Sequence, residues 1–168
     1  MAGYLGTREE GVTLIREVLR TGTVAGLAMI PFAAVFQRLD LRINEYGRKT
    51  LGLLVGDVSP PVHTLLTFIQ HLAISWIVAV PLLLLLGAFS RRRDRILVGL
   101  AYGAVFYVGM NSLALPLAFG DPTPWRLGLS VVWPSLFIHL VYGFTVAALA
   151  RPATALTSTG SSHEPGPR

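Results

Sequence analysis

Four apolar runs, each bounded by charged or turn-forming residues, set the order of hydrophobic and polar positions along this chain. The second run is the plainest. From His63 or Thr64 to Phe89 no charged residue interrupts it, and Leu82 to Leu86 is continuous leucine, which predicts a membrane-spanning helix. Pro81 falls inside that helix and should bend it, because the ring removes a backbone donor and crowds the preceding turn. The third run, about Ile96 to Phe119, and the fourth, about Leu127 to Ala150, predict two further spans. Between them Gly120-Asp121-Pro122-Thr123-Pro124 reads as a tight turn, and Trp125 follows it where an aromatic ring can sit among lipid headgroups.

The first run, about Thr21 to Phe36, is short for a span and recruits its flanks: Val18 and Leu19 before it, Leu39 and Leu41 after it. Arg20 and Arg38 can extend toward the headgroups at either end. The stretch from Arg42 to Val62 is too charged to cross a membrane and too apolar to be a free loop. It predicts a short amphipathic helix lying at the interface, closed by Gly56 and a Pro60-Pro61 stop. The expected architecture is therefore all-α: an integral membrane bundle of four transmembrane helices over 21–150, with an interfacial helix between the first two. An amphipathic lead-in over 1–20 precedes the bundle, and a tail over 151–168, rich in Pro, Thr, Ser and Gly, is expected to be disordered. The mixed charges of residues 1–20 and the lack of a small-residue cleavage site argue against a secretory signal.

Composition sharpens this picture. Of 168 residues 52% are hydrophobic and 14% charged, about half the charged share of an ordinary soluble domain. The formal net charge of +5 would suggest nucleic acid in a soluble protein. Here the charge sits in the gaps between apolar runs, with Arg91, Arg92, Arg93 and Arg95 around Asp94 and no interleaved aromatics for base stacking, so it is read as a topology signal. Most of the 14 basic residues fall on the side shared by the N-terminus, the Arg91 cluster and the tail, which predicts both termini in the cytoplasm. The lipid bilayer is the expected partner, nucleic acid is not, and four short helices leave room for a homodimer or for docking on a larger membrane complex. The absence of cysteine removes disulfides, thiolate metal sites and cysteine nucleophiles.

Two short patterns recur. His71-Leu72-Ala73-Ile74-Ser75-Trp76 and His139-Leu140-Val141-Tyr142-Gly143-Phe144 each place a small residue four after a histidine and an aromatic five after it. The spans preceding them carry Gly22/Gly26 and Gly99/Gly103, small residues one turn apart that let helix backbones approach closely. Two copies of a two-helix hairpin would account for both patterns. Gly99-Leu100-Ala101-Tyr102-Gly103 could equally serve as a dimer face, but a seam within one chain is the commoner use.

At 1.5 Å per residue, His71, His139 and Asn111 should lie in the outer half of the bilayer, roughly 12 to 18 Å below its surface, with Tyr107 one turn deeper on the Asn111 face. Polar groups at that depth face the bundle interior. The cluster His71, His139, Asn111 and Tyr107 reads either as a proton-sensitive or ligand-binding site, or as neutral histidines that tie helices together by hydrogen bonds. A histidine pair also permits axial ligation of a b-type haem, or a quinone-associated redox subunit. A small transporter or channel is a third reading, weakened by the lack of charge expected within the spans. Hydrolysis is disfavoured because no acid is expected inside a span to orient a histidine base, and no phosphate loop, dinucleotide fingerprint or zinc spacing occurs. The expectation is a non-enzymatic protein with no cofactor and no metal.

Gly22-x-x-x-Gly26, Glu45-Tyr46-Gly47, the His71 helix, Ala101-Tyr102-Gly103-Ala104-Val105-Phe106-Tyr107 with Asn111-Ser112, and His139-Leu140-Val141-Tyr142-Gly143 together resemble the YagU-like family of small bacterial inner-membrane proteins. The resemblance covers about Gly22 to Ala150. It implies a multi-span inner-membrane protein without catalytic residues and with an association with acid resistance, which histidines near the outer face would suit.

Overall fold

The computed structural model describes residues 2–43, 46–56 and 58–151, with side chains from residue 13 onward. The expected tail beyond Arg151 and the side chains of most of the lead-in lie outside the described residues. All described elements are helical: α1 (Ala2–Arg38), α2 (Tyr46–Val55), α3 (Pro60–Leu86), α4 (Arg92–Phe106), a π-helical segment (Tyr107–Ala114), α5 (Leu115–Phe119), α6 (Pro124–Leu127) and α7 (Leu129–Leu149). Four segments are long and apolar enough to cross a membrane: Thr13–Arg38, Pro60–Leu86, Arg92–Phe119 and Leu129–Leu149.

Several boundaries differ from the sequence reading. The lead-in and the first span form one unbroken helix, so the flank recruited for length is the whole stretch back to Thr13. That stretch carries Glu17, an acid inside an apolar helix where none was expected. Pro60 and Pro61 do not stop the interfacial helix. They occupy the first positions of α3, where a missing N–H costs nothing and a fixed φ favours helix, while Gly56 at φ 63° closes α2. The third span is not α-helical throughout, since backbone bonds in Tyr107–Ala114 widen to the i→i+5 pattern, with the Leu115 N–H donating to the Met110 carbonyl. Pro116, just beyond, has no N–H to offer and its ring crowds the preceding turn, a recognised cause of such widening. Gly120 (φ 65°) then ends the span, and the Asp121 N–H reaches back to the Pro116 carbonyl at 2.9 Å.

The two glycine pairs are packing seams within the chain. A Cβ at Gly26 would stand 2.6 Å from Ser75 Oγ, and one at Gly22 3.0 Å from Trp76 Cδ1, so α1 lies directly on the His71 face of α3. A Cβ at Gly99 would stand 2.6 Å from the Ala147 Cβ, and one at Gly103 2.9 Å from the His139 carbonyl carbon, so α4 lies on the His139 face of α7. The correspondence is close. Gly22 and Gly99 each oppose the carbonyl of the small residue four after a histidine, and Gly26 and Gly103 each oppose the histidine itself. Symmetry stops there, for α1 also packs along α7 through Phe32 and Phe36 against Trp133 and Phe137, whereas α3 and α4 meet mainly around Val78 and Tyr102. The buried core sits where α1, α3, α4 and α7 converge, at Ala25, Leu82, Leu86, Tyr142 and Val146, flanked by Val78, Val98 and Tyr102. Elsewhere large apolar side chains such as Ile77, Leu84, Val105, Leu117 and Leu129 point outward, as lipid-facing residues must.

Candidate functional site

His71 projects from α3 toward the α1 backbone. Its Nε2–H donates to the Gly26 carbonyl at 3.0 Å, a contact that exists because glycine lets the two helices close. A carbonyl only accepts, so the proton is on Nε2. One turn on, Ser75 Oγ donates to the His71 carbonyl at 2.8 Å, and Trp76 Nε1–H donates to Thr23 Oγ1 at 2.9 Å. The α1–α3 seam is thus a row of polar contacts spaced along a glycine stripe.

His139 lies midway along α7, about 15 Å from either end of the helix. Its Nδ1–H donates to the Ser135 carbonyl at 2.6 Å, and its Nε2 receives the Asn111 Nδ2–H at 2.9 Å. Both ring nitrogens are therefore committed, one as donor and one as acceptor, which is the bonding pattern of a neutral imidazole. Phe106 stacks on the ring at 6.0 Å between centroids and Tyr107 tilts against it at 5.6 Å. Asn111 reaches the ring from the π-helical segment, whose wider turn sets the angular position of that side chain.

The sequence reading named His71, His139, Asn111 and Tyr107 as one cluster. The structure joins His139, Asn111 and Tyr107 in direct contact, and puts His71 near enough to His139 for their charges to interact. Two tyrosines link the elements around them: Tyr142 Oη donates to the Ser75 carbonyl, and Tyr102 Oη donates to the Val78 carbonyl at 3.0 Å. His139 sits ten residues from either end of α7 and His71 eleven residues from the start of α3, so both rings lie near the middle of their own helices.

Glu17, Arg20 and Arg95 form a second polar cluster that the sequence reading missed. Arg20 holds Glu17 by two contacts, at 2.7 and 3.2 Å, and donates to the Leu149 carbonyl at 2.7 Å. Glu17 Oε1 also accepts the Arg151 N–H at 2.9 Å. Arg95, only 6% exposed, donates to the Ala150 carbonyl at 2.6 Å. Two guanidinium groups thus satisfy the last carbonyls of α7, where the helix dipole is negative. The spacing Glu17-x-x-Arg20 on one helix face was the available signal; Arg95 was hidden among exposed arginines.

At the opposite end α2 bridges elements that lie far apart in sequence. Tyr46 stacks on Phe119 at 5.7 Å, Lys49 pairs with Asp121, and Gly47 lies beside Gln70 of α3. A cleft of about 560 Å³ opens here, lined by Gln37, Asp40, Arg42, Lys49 and Asp121 among others. Burial, and then the Asp121 carboxylate, push the Tyr46 phenol above its ordinary pKa, with Lys49 and Arg42 opposing them. Leu53 and Leu54 on α2 are 77% and 74% exposed, an apolar face turned away from the bundle as in an interfacial helix.

Among the described residues no three His, Asp or Glu side chains gather into a metal site. A haem does not fit the pair as it stands: Nε2 of each ring, the atom that would meet iron, is already taken by Gly26 or Asn111. No protein-family model, no curated protein and no solved structure matches this chain. The chain is a four-span, all-helical membrane bundle. The YagU-like resemblance therefore rests on the residues quoted for it alone.

Proposed function

We propose that this is a non-enzymatic multi-pass protein of the bacterial inner membrane, with both termini cytoplasmic, whose helix packing responds to acid through His71 and His139. The observation that carries the reading is the committed state of His139. With Nδ1–H on the Ser135 carbonyl and Nε2 accepting from Asn111, a second ring proton has no acceptor to meet. Protonation turns Nε2 into a donor facing the donor amide of Asn111, and the contact between α7 and the third span breaks unless the amide turns over. With His71 close by, a charge on one ring disfavours a charge on the other at this depth, so acid should disturb one seam before the other. Non-enzymatic character is supported by the partners of both rings, which are carbonyls and an amide rather than a carboxylate that would orient a base.

The chain has no cysteine, so a pair of introduced labels reports without background. With spin labels at Leu65→Cys and Leu113→Cys, both exposed positions, the distance distribution should change as the pH falls from about 7.5 to about 4, a range that runs well below that of a free imidazole. His71→Gln combined with His139→Gln should remove the change. A pH response that persists in the double variant rules the proposal out.

A further inference from the structure

Two hydroxyls beside the histidine site are fully buried and unpartnered. Tyr107 and Ser112 are each 0% exposed, and neither Tyr107 Oη nor Ser112 Oγ completes a hydrogen bond of good geometry within the protein, although the two hydroxyls lie close to each other. Both sit in the π-helical segment, and Pro116 supplies no N–H to the carbonyls of Asn111 or Ser112 in the turn before it. Donors and acceptors are therefore concentrated in one apolar-walled place with too few partners of their own. Leaving a buried hydroxyl unsatisfied is destabilising, and native proteins meet such groups with an ordered water making two to four hydrogen bonds.

We infer that the π-helical turn of the third span is a binding site for a buried water, held by Tyr107 Oη, Ser112 Oγ and a carbonyl freed by Pro116. A water fits the chemistry better than a cation, because every ligand is a neutral oxygen and neither 96–119 nor 129–149 carries an acid to offset a charge within the spans. It accepts from one hydroxyl and donates to the carbonyl and to the other hydroxyl. Its place is also mechanistic. Tyr107 packs against the His139 ring and Ser112 follows Asn111, so the water stands next to the contact whose protonation the proposed function invokes, and it offers a proton relay through an otherwise apolar stretch. That last role rests on the acid-response reading; the site itself does not.

Radiolytic hydroxyl labelling tests it on the full chain in lipid nanodiscs, since a pulse of X-rays modifies side chains next to bound water even when bulk solvent is excluded. Tyr107 should be labelled as strongly as an exposed tyrosine, and Ser112→Ala should reduce that labelling several-fold. The sign of a stability change gives an independent reading. If a water satisfies the hydroxyl, Tyr107→Phe lowers the folding equilibrium constant by roughly tenfold, whereas removing a truly orphaned hydroxyl raises it. An unlabelled Tyr107 in the wild-type chain, or a Tyr107→Phe variant more stable than wild type, overturns the site. His139→Gln should leave the Tyr107 labelling in place while removing the pH response, so the two proposals fail separately.

Discussion

At the residue scale, the seams depend on particular hydrogen atoms. Gly99, Gly103 and Gly143 each face a neighbouring helix so closely that one added methyl must displace backbone, whereas Gly109 and Gly52 have open space where a Cβ would stand. Gly103→Ala should therefore be among the most damaging small substitutions in the chain, costing about 1 to 3 kcal/mol through forced separation of α4 and α7. Gly109→Ala should be tolerated, since nothing lies within 4 Å of its added carbon. Denaturant titration of both variants in mixed micelles checks the contrast, and equal stabilities would mean that the α4–α7 seam is not the close contact described. The glycine pairs were legible because spacing and residue type carry the signal, and so were the histidines as polar groups in apolar helices. Which atom each histidine bonds was not legible, because Gly26 lies 45 residues from His71 and Asn111 lies 28 from His139, and no local pattern encodes such pairs.

At the scale of elements, hydropathy located the spans and failed at their irregularities. The end of the third span at Phe119 is turn chemistry that a sequence states openly, whereas the first span ends at Arg38, short of the Leu39 and Leu41 expected to extend it. The π-helical segment is not stated openly, since its cause is Pro116 at the far side of the turn and its effect is angular rather than hydrophobic. The proline pair before α3 predicts a stop where the structure has a start, an ambiguity inherent in proline, which suits both the end of one helix and the first turn of the next. The docking of α2 yields a pH prediction of definite sign. Burial raises the Tyr46 pKa in the folded protein, so its neutral form is favoured on folding. That contribution is fully present below about pH 10, the unfolded phenol's pKa, and is lost as pH rises through the higher folded value. Absorbance titration of tyrosinate, followed with a label on α2, should show α2 loosening only in that alkaline range. In Tyr46→Phe the alkaline step should disappear, and a step unchanged in that variant would assign it to another group.

For the whole molecule, the two ends of the bundle are closed by different means. One end is bridged by a short amphipathic helix whose buried Tyr46 stacks on Phe119 and whose Lys49 pairs with Asp121 in an exposed, individually weak contact. The other is held by Glu17, Arg20 and Arg95 around the last carbonyls of α7, where burial makes each contact worth more. Because α7 packs against both α1 and α4, fixing its end fixes the angle between the two hairpins, and any shift at the histidine level must be accommodated toward the α2 end. Arg95 is the decisive group: it is buried, its hydrogen bonds go to carbonyls of Ala150 and Arg151, and its Nε is without a protein partner. Arg95→Met keeps the apolar stem but leaves the α7 carbonyls unsatisfied, and should cost about 1 to 3 kcal/mol of stability. Arg95→Lys should recover little of this, because an ammonium on a shorter stem does not reach as far as the Nη2 that donates to both carbonyls. Thermal unfolding of both variants, with cross-linking between α1 and α7 as a measure of end closure, separates the outcomes: full rescue by lysine would mean that only charge matters here, and that the guanidinium geometry does not hold the hairpins at their angle.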